Sequence, residues 1–274
     1  MDMADNPKKT REPVVAGRFY PNEPQTLASE ISRLLDSVVV SDTRQPKAII
    51  APHAGYIYSG RTAAAVYTRI KPWRGTIHRV ILLGPSHHTA VAGLALPSVD
   101  AFATPLRSIP LDQQAMSELR ALPQVVVSDA AHASEHSLEV QLPFLQSVLE
   151  SFTLVPLAVG QVQPESVAEV LEAVWGGDET LIVVSSDLSH FLPYASARVR
   201  DRMTCDAILD CDPSIDPHDA CGAHPINGLL LAATRHNLTP ELVELCNSGD
   251  TAGDKSAVVG YAAFAFYPES SVPA

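Results

Sequence analysis

Short apolar runs alternate with helical patterns along most of the chain. Five runs predict buried strands, at residues 47–51, 79–83, 153–159, 180–184 and 258–266. Between them, apolar residues recur three and four positions apart, a spacing that puts them on one side of a helix. The helix faces predicted in this way are Leu27, Ile31, Leu34, Leu35 and Val38; Ala63, Val66, Tyr67 and Ile70; Leu138, Leu142, Leu145 and Leu149; Val167, Val170, Leu171 and Val174; and Leu229, Leu230 and Ala233.

Fully apolar strands that alternate with amphipathic helices predict a three-layer α/β/α fold with a central, largely parallel but mixed sheet. Pro143 either kinks its helix or lies in the first turn. The Pro-rich stretch 97–110 indicates an irregular excursion or hairpin. No linker, repeat or low-complexity block is apparent, so we expect one domain over residues 1–274, with 1–12 as a loose N-terminal arm.

Composition and charge narrow the function. The net charge of −12 argues against nucleic acid or an anionic membrane as a partner. No apolar run is long enough for a membrane span, and the first residues lack the apolar stretch of a signal peptide, so the expected location is the cytoplasm. In that reducing compartment, three of the four cysteines are interpreted as ordinary small residues, namely Cys205, Cys211 and Cys246.

Three predicted strands end in polar turns, and these turns carry His53, His87 and the pair Asp187 and His190. Because ligands of open α/β sheets bind beyond the carboxyl ends of the strands, we expect these side chains at one edge of the sheet. Each also has a simpler interpretation. A strand-end histidine is commonly a turn residue, either His87 or its neighbour His88 could face solvent, and Asp187 could cap a helix.

Two further clusters adjoin predicted helices. Glu135 and His136 could lean into the pocket as supporting carboxylate and imidazole, whereas Ser134 or Ser137 could simply cap the following helix. Cys221 precedes another helix, and the helix dipole would favour its thiolate, which suggests a ligand or reactive thiol. The sequence has no GxSxG elbow, GxGxxG loop, Walker loop or HExxH motif.

At five segments the chain resembles the Memo family, whose bacterial and archaeal members are called AmmeMemoRadiSam system protein B. The resemblance runs in order from about Gly17 to Ala263 and rests on Ala51-Pro-His-Ala-Gly-Tyr56, Gly84-Pro-Ser-His-His88, Glu135-His-Ser137, Val184-Ser-Ser-Asp187 and Cys221-Gly-Ala-His-Pro-Ile226. It implies a fold like that of the LigB-type extradiol dioxygenases, which open catechol rings with non-haem Fe(II).

The resemblance also implies roles for particular residues. His53, His87 and Cys221 match metal-ligand positions, with iron or copper as the metal. By their chemistry, thiolate and imidazole ligands also suit zinc. His190 matches the acid/base histidine of the dioxygenases, and Asp187 a further catalytic pocket residue. The residues expected around them are Glu135, His136, His88 and Tyr56.

A thiolate in place of the carboxylate ligand of the dioxygenases makes the site softer and open to oxidation. Ring cleavage is therefore less expected than other redox chemistry. The leading hypothesis is a metal-dependent oxidoreductase acting on a small molecule. The alternatives are a non-catalytic adaptor that binds a peptide or anion, and a metal-handling protein whose partners are of the radical-SAM and AMMECR types.

Overall fold

The structure, a computed structural model, describes residues 9–39 and 44–269. The strands in this part of the chain are β1 (Thr10–Arg11), β2 (Ala48–Ala51), β3 (Arg79–Pro85), β4 (Leu94–Leu96), β5 (Ala101–Ala103), β6 (Ser108–Pro110), β7 (Val125–Val127), β8 (Thr153–Val159), β9 (Thr180–Ser185), β10 (His190–Leu192), β11 (Leu238–Asn247) and β12 (Val258–Pro268). The α-helices are α1 (Pro24–Asp36), α2 (Tyr56–Tyr67), α3 (Gln113–Leu119), α4 (Asp129–Ala133), α5 (Leu142–Val148), α6 (Pro164–Ala173), α7 (Tyr194–Leu209) and α8 (Ala223–Arg235).

The main sheet has the strand order β10-β12-β2-β9-β3-β8-β4-β7, and β11 pairs with β12. Its centre is parallel, because β9 pairs in parallel with both β2 and β3, and β3 pairs in parallel with β8. Towards the edges, β12 is antiparallel to β2 and β4 is antiparallel to β8. The predicted mixed sheet is confirmed, and the carboxyl ends of β2, β9 and β3 lie side by side.

Helices cover both faces of this sheet. Every residue of β2 and β9 is buried, as expected for strands with no solvated face. Helix α2 packs against β2 and β12 and also contacts α1 and α5, whereas α8 packs against β3 and β9 and contacts α6. The α/β fold class predicted from the apolar pattern is therefore confirmed. None of the helices in the described ranges is long and apolar enough to cross a membrane.

The end of the proposed N-terminal arm is part of the fold, which corrects the prediction for residues 9–12. Strand β1 pairs in parallel with β5, and β5 forms an antiparallel hairpin with β6 inside the Pro-rich stretch. Arg11 is only 9% exposed, because its guanidinium forms an ion pair with the buried carboxylate of Glu139. Residues 1–8 lie outside the described part of the chain.

The predicted helix at residues 138–149 is divided. A single 3₁₀ turn, Glu139–Gln141, precedes α5, and Pro143 lies in the first turn of α5, where its missing N–H leaves no intrahelical bond unmade. Helix α7 and strand β11 were not predicted. The buried side of helix α7 is mostly small or polar, and Ile208 is its one large apolar residue; the buried residues are Ala197, Asp201, Thr204, Cys205 and Ile208.

Candidate metal centre

His53 follows β2 and is held by the neighbouring strand β9. Its backbone N–H donates to Asp187 Oδ1 at 2.8 Å, and its Nδ1 lies 2.9 Å from Ser185 Oγ. Ser185 Oγ donates its one proton to the carbonyl of Ser137 at 2.6 Å, so it must accept from His53 Nδ1. His53 therefore keeps its proton on Nδ1. The lone pair on Nε2 is left to a ligand or to the thiol of Cys221, whose Sγ lies 3.3 Å away.

Glu135 organises the second and third histidines. Its Oε2 accepts from the backbone N–H of His87 at 2.6 Å, and its Oε1 lies 2.9 Å from His87 Nδ1. The backbone amides of His136 and Ser137 also donate to Oε1, at 2.9 and 2.8 Å. Burial by itself would raise the pKa of Glu135, but the His87 ring and these amides outweigh it and hold the pKa far below its usual range. The carboxylate is therefore ionised and leaves His87 Nε2 free to bind a ligand.

His136 completes a compact group of imidazoles. Its ring is stacked on that of His87, with centroids 4.8 Å apart and planes 19° apart, and His53 meets it edge-on at 5.4 Å. The ligand atoms of His53, His87 and His136 lie within 4.8 Å of one another. Burial and the neighbouring histidines lower the pKa of His136 to about 4 and that of His53 well below its usual value. Three imidazoles at this spacing could hold a metal ion.

Asp187 follows β9 and is 4% exposed. It does not cap a helix, because strand β10 follows it; instead its carboxylate accepts from the backbone N–H groups of His53 and Ala54. Burial raises the pKa of Asp187 to about 7, and these two hydrogen bonds oppose the rise. Asp187 thus fixes the turn that carries His53, and its carboxylate lies outside the group of mutually close donor atoms formed by the three histidines.

Cys221 is also held by Asp187. The Cys221 amide donates to the Asp187 carbonyl at 3.3 Å, and the Asp187 amide donates to Cys221 Sγ at the same distance. The expected lowering of the thiol pKa is wrong. Burial, reinforced by the Asp187 charge, raises the pKa of Cys221 to about 12. The cost of desolvating a thiolate here is larger than the stabilisation that the dipole of helix α8 would give it. Cys221 contacts His53 but stands outside the group of three histidines.

The remaining predicted residues have different positions. His190 lies exposed at the mouth of the site, where its ring is hydrogen-bonded to the Leu188 carbonyl. His88 lines a separate outer cavity, together with Cys221 and His224. Tyr56 is not in the pocket, which corrects that prediction: it is 4% exposed, and its hydroxyl donates to the Val140 carbonyl inside the helix layer.

Neither Ser134 nor Ser137 caps the helix that follows them. Ser134 comes directly after α4, and Ser137 Oγ donates to the Pro85 carbonyl at 2.9 Å. Ser137 thereby ties the loop that carries His136 to the end of β3. Ser137 acts as a tie between loops, while Glu135 turns inward towards the histidines.

A cavity of about 520 Å³ opens over the three histidines. Its aromatic walls come from segments to which the sequence analysis gave no role, with Phe19 before α1, Tyr58 in α2 and Tyr261 in β12. The Phe19 ring packs on His136 at 4.8 Å. The loop after β11 contributes Ser248 and Gly253. Phe19 and Tyr261 had a local signal, since they belong to the segments where the resemblance begins and ends, Gly17-Arg-Phe-Tyr20 and Val259-Gly-Tyr-Ala-Ala263.

Comparisons with known proteins agree over nearly the whole chain. The sequence model of the family described as Memo-like protein matches residues 11–265. A MEMO1 family protein of Aquifex aeolicus is 36% identical over 273 residues, which are 94% of this chain and 99% of that protein. A MEMO1 family protein of Methanosarcina barkeri is also 36% identical, over 92% of this chain and 98% of its own length.

Among solved structures, an uncharacterized protein of Escherichia coli K12 is similar in fold. Its TM-score is 0.51 at 12% sequence identity, and the match covers 81% of this chain and 99% of that one. At this level of identity the likeness concerns the α/β architecture alone.

Proposed function

Because the chain belongs to the Memo family, we propose that it is a metal-dependent oxidoreductase that acts on a small molecule and uses non-haem iron or copper. The observation that carries this proposal is the group of three imidazoles, those of His53, His87 and His136, whose ligand atoms are mutually close. His53 and His87 each have Nδ1 engaged by an oxygen, an arrangement that orients metal-binding histidines. Cys221 supplies a thiol beside His53.

A bound iron or copper ion would supply redox chemistry and polarise a chelating substrate. The chain positions the substrate around it. Phe19, Tyr58 and Tyr261 form an aromatic wall against which an apolar part of the substrate would pack. His190 lies at the mouth with one ring nitrogen engaged by a carbonyl, so its other nitrogen is available to exchange a proton with the substrate.

The test starts from protein purified without air and analysed for bound metal. We expect one iron or copper ion per chain in the wild type and less than a tenth of that in His53→Ala. The matched control is His78→Gln, which changes an exposed histidine at the opposite end of strand β3. If the wild type binds no stoichiometric metal and His53→Ala equals the control, the proposal is wrong.

Oxygen uptake then separates an oxidoreductase from the other functions. We expect metal-loaded protein to consume oxygen with a panel of catechols and other chelating small molecules, and His190→Gln to slow uptake without releasing the metal. Tight peptide binding that persists under a chelator, with no oxygen uptake, would identify an adaptor instead. Metal-dependent capture of a radical-SAM protein, again without oxygen uptake, would identify a metal-handling protein.

A further inference from the structure

Helix α7 exposes large apolar side chains on the side that faces away from the sheet. Four of the ten exposed large apolar residues in the described ranges belong to α7 or to strand β10 beside it, namely Phe191, Val199, Met203 and Leu209. Val199 and Met203 are each 64% exposed and are neighbours on one helix face, because they are four positions apart. The other side of α7 packs on β11 and β12. Apolar side chains that cluster in this way on a surface are typical of an interaction site.

The charges on the exposed side of α7 are divided by sign. Arg198 and Arg202 lie in the first two-thirds of the helix, whereas Asp206 and Asp210 lie at its carboxyl end, and all four are exposed. Within the described ranges, the one ion pair of α7 is that of Arg200 with Asp219. Carboxylates at the carboxyl end of a helix are disfavoured by its dipole. The stability of α7 alone therefore does not account for these aspartates.

We propose that the exposed side of α7 is a self-association surface, on which a second copy of this chain docks its own α7 in the antiparallel direction. A two-fold axis at the level of Thr204 sets Arg202 opposite Asp206 of the second copy, because both are two positions from Thr204. The same axis sets Arg198 opposite Asp210 of the second copy. Each attraction occurs twice, as the symmetry of such a dimer requires.

The apolar residues obey the same symmetry. Val199 and Leu209 are each five positions from Thr204, so each of them meets the other across the axis. The two Met203 side chains come together beside the axis, and methionine adapts readily to an irregular contact. A parallel pair of helices would instead set like charges against each other. Charge and apolar pattern therefore both name a second copy of this chain as the occupant.

The pairing would reach the candidate functional site. A cavity of about 740 Å³ runs along α7 and is lined by His190, Val199 and Met203, among others. His190 also borders the cavity over the three histidines. A second copy docked on Val199 and Met203 would form a further wall of the cavity along α7. Association would therefore narrow one approach to His190.

The dimer is expected to be weak. A helix of 16 residues is about 24 Å long, and an interface built around one such helix is small among specific interfaces. The net charge of −12 on each copy also opposes association. We therefore expect a dissociation constant of about 1–100 μM for the dimer. The inference goes beyond the proposed metal chemistry and does not depend on it.

The first test is sedimentation equilibrium of the full chain at concentrations around the expected constant. Met203→Glu removes the apolar contact beside the axis and brings two carboxylates together, so we expect it to raise the dissociation constant by about tenfold or more. The matched control is Val127→Glu, which makes the same kind of change at an exposed residue of strand β7. The control should leave the dissociation constant within about twofold of the wild type. Circular dichroism checks that both variants are folded.

Two charge reversals then test the register. Arg202→Glu sets glutamates against aspartates in the dimer, and Asp206→Arg sets arginines against arginines, so each variant alone should be monomeric. Mixed in equal amounts, they should form a one-to-one dimer, because every contact then joins opposite charges. Native mass spectrometry identifies this mixed dimer by its mass. Arg33→Glu, a reversal at an exposed residue of α1, is the matched control and should dimerise like the wild type.

A wild type that stays monomeric over the whole concentration range would overturn the inference and leave the surface to a different partner. A dimer that persists unchanged in Met203→Glu would overturn it as well, because that dimer forms through another surface. So would charge variants that associate no better mixed than alone, since a change within one helix cannot produce the rescue. None of these outcomes bears on metal binding, which is measured separately.

Discussion

Glu135 and Glu139 are two buried glutamates four positions apart, at 2% and 0% exposure, and the fold uses them differently. Glu139 is paired with the guanidinium of Arg11 and also accepts from the Val14 and Val15 amides and the Tyr20 hydroxyl. The carboxylate of Glu135 has no arginine or lysine partner among the described residues, although its backbone carbonyl accepts from Arg11 Nη2; the carboxylate holds His87 and His136 instead. Glu139 thus fastens the N-terminal segment, whereas Glu135 arranges imidazoles.

The difference shows how the chain separates stability from chemistry. A buried carboxylate that is fully paired stabilises the fold by holding segments together, and its removal leaves the partner charge buried without a counter-charge. A buried carboxylate that faces titratable imidazoles instead sets their orientation and their free nitrogen. Changes in the two glutamates should therefore affect different measurements.

The largest expected effect comes from Glu139→Ala. It leaves the Arg11 guanidinium buried without a counter-charge, and the Val14 and Val15 amides without an acceptor. We expect the free energy of unfolding to fall by about 3–5 kcal/mol in urea titrations followed by circular dichroism. Glu150→Ala removes an exposed glutamate paired with Arg74 and should change it by less than about 1 kcal/mol. Equal effects of the two variants would contradict the structural role of Glu139.

His132, like Glu139, helps to hold the N-terminal segment, because its backbone carbonyl accepts from Arg11 Nε at 2.9 Å. Its ring is buried, and burial lowers the pKa of His132 to about 4 from its usual 6.5. Between these values the unfolded chain binds a proton that the folded chain does not, so stability falls as the pH drops from about 6.5 to about 4. The shift corresponds to a loss of about 3 kcal/mol.

The measurement compares the wild type with His132→Gln, whose amide can replace the ring as donor to the Ala95 carbonyl. The difference in unfolding free energy between the two proteins should change steadily between pH 6.5 and 4.5, because every other titrating group is shared. A constant difference over this range would show that the ring titrates alike in the folded and unfolded states.

Much of this arrangement could be predicted from sequence. The three polar strand ends place His53, His87 and Asp187 at one edge, since parallel strands share an edge, and the order β2-β9-β3 makes them neighbours. The burial of Tyr56 also had a local signal. Tyr56, Ala63 and Tyr67 recur at helical spacing on the buried side of α2, which turns Tyr58 towards the cavity instead.

Other features had no such signal. Helix α7 carries charged residues all around, and strand β11 is an edge strand interrupted by Pro240, so neither shows a clear period. The direction of the His136 ring depends on Glu135 and Phe19, which come from different segments. The thiol pKa of Cys221 depends on burial by the whole fold, which outweighs the helix dipole.

The next effect concerns Glu135→Gln, which keeps the size of the side chain and removes its charge. His87 Nδ1 then faces a neutral acceptor, so the imidazole becomes a weaker ligand. We expect affinity for Co(II), a spectroscopic substitute for Fe(II), to fall by about 10–100-fold in calorimetric titrations, or about 1.4–2.7 kcal/mol. The matched control is Glu139→Gln, which should lower stability and leave the affinity of the folded protein nearly unchanged. Equal losses of affinity in both variants would contradict the separate roles given to the two glutamates.

The smallest expected effect concerns a third buried carboxylate, Asp201 of helix α7. Its Oδ1 accepts from the backbone N–H of Ser189 at 3.0 Å, next to His190. A Cβ atom on Gly260 would lie 2.1 Å from Oδ2, so the strand beside this loop needs glycine there. Asp201 therefore combines the two uses seen in the glutamates, because it fastens a backbone that presents a candidate catalytic side chain.

Asp201→Ala should lower the free energy of unfolding by about 1 kcal/mol, because one buried N–H loses its acceptor. It should also speed hydrogen exchange at the Ser189 amide and change the tautomer balance of the His190 ring, both followed by nuclear magnetic resonance. Asp201→Asn keeps an oxygen acceptor and should restore both signals, whereas Asp206→Ala, an exposed change in the same helix, should alter neither. An effect on stability alone, with the His190 ring unchanged, would place Asp201 with Glu139 as a purely structural carboxylate.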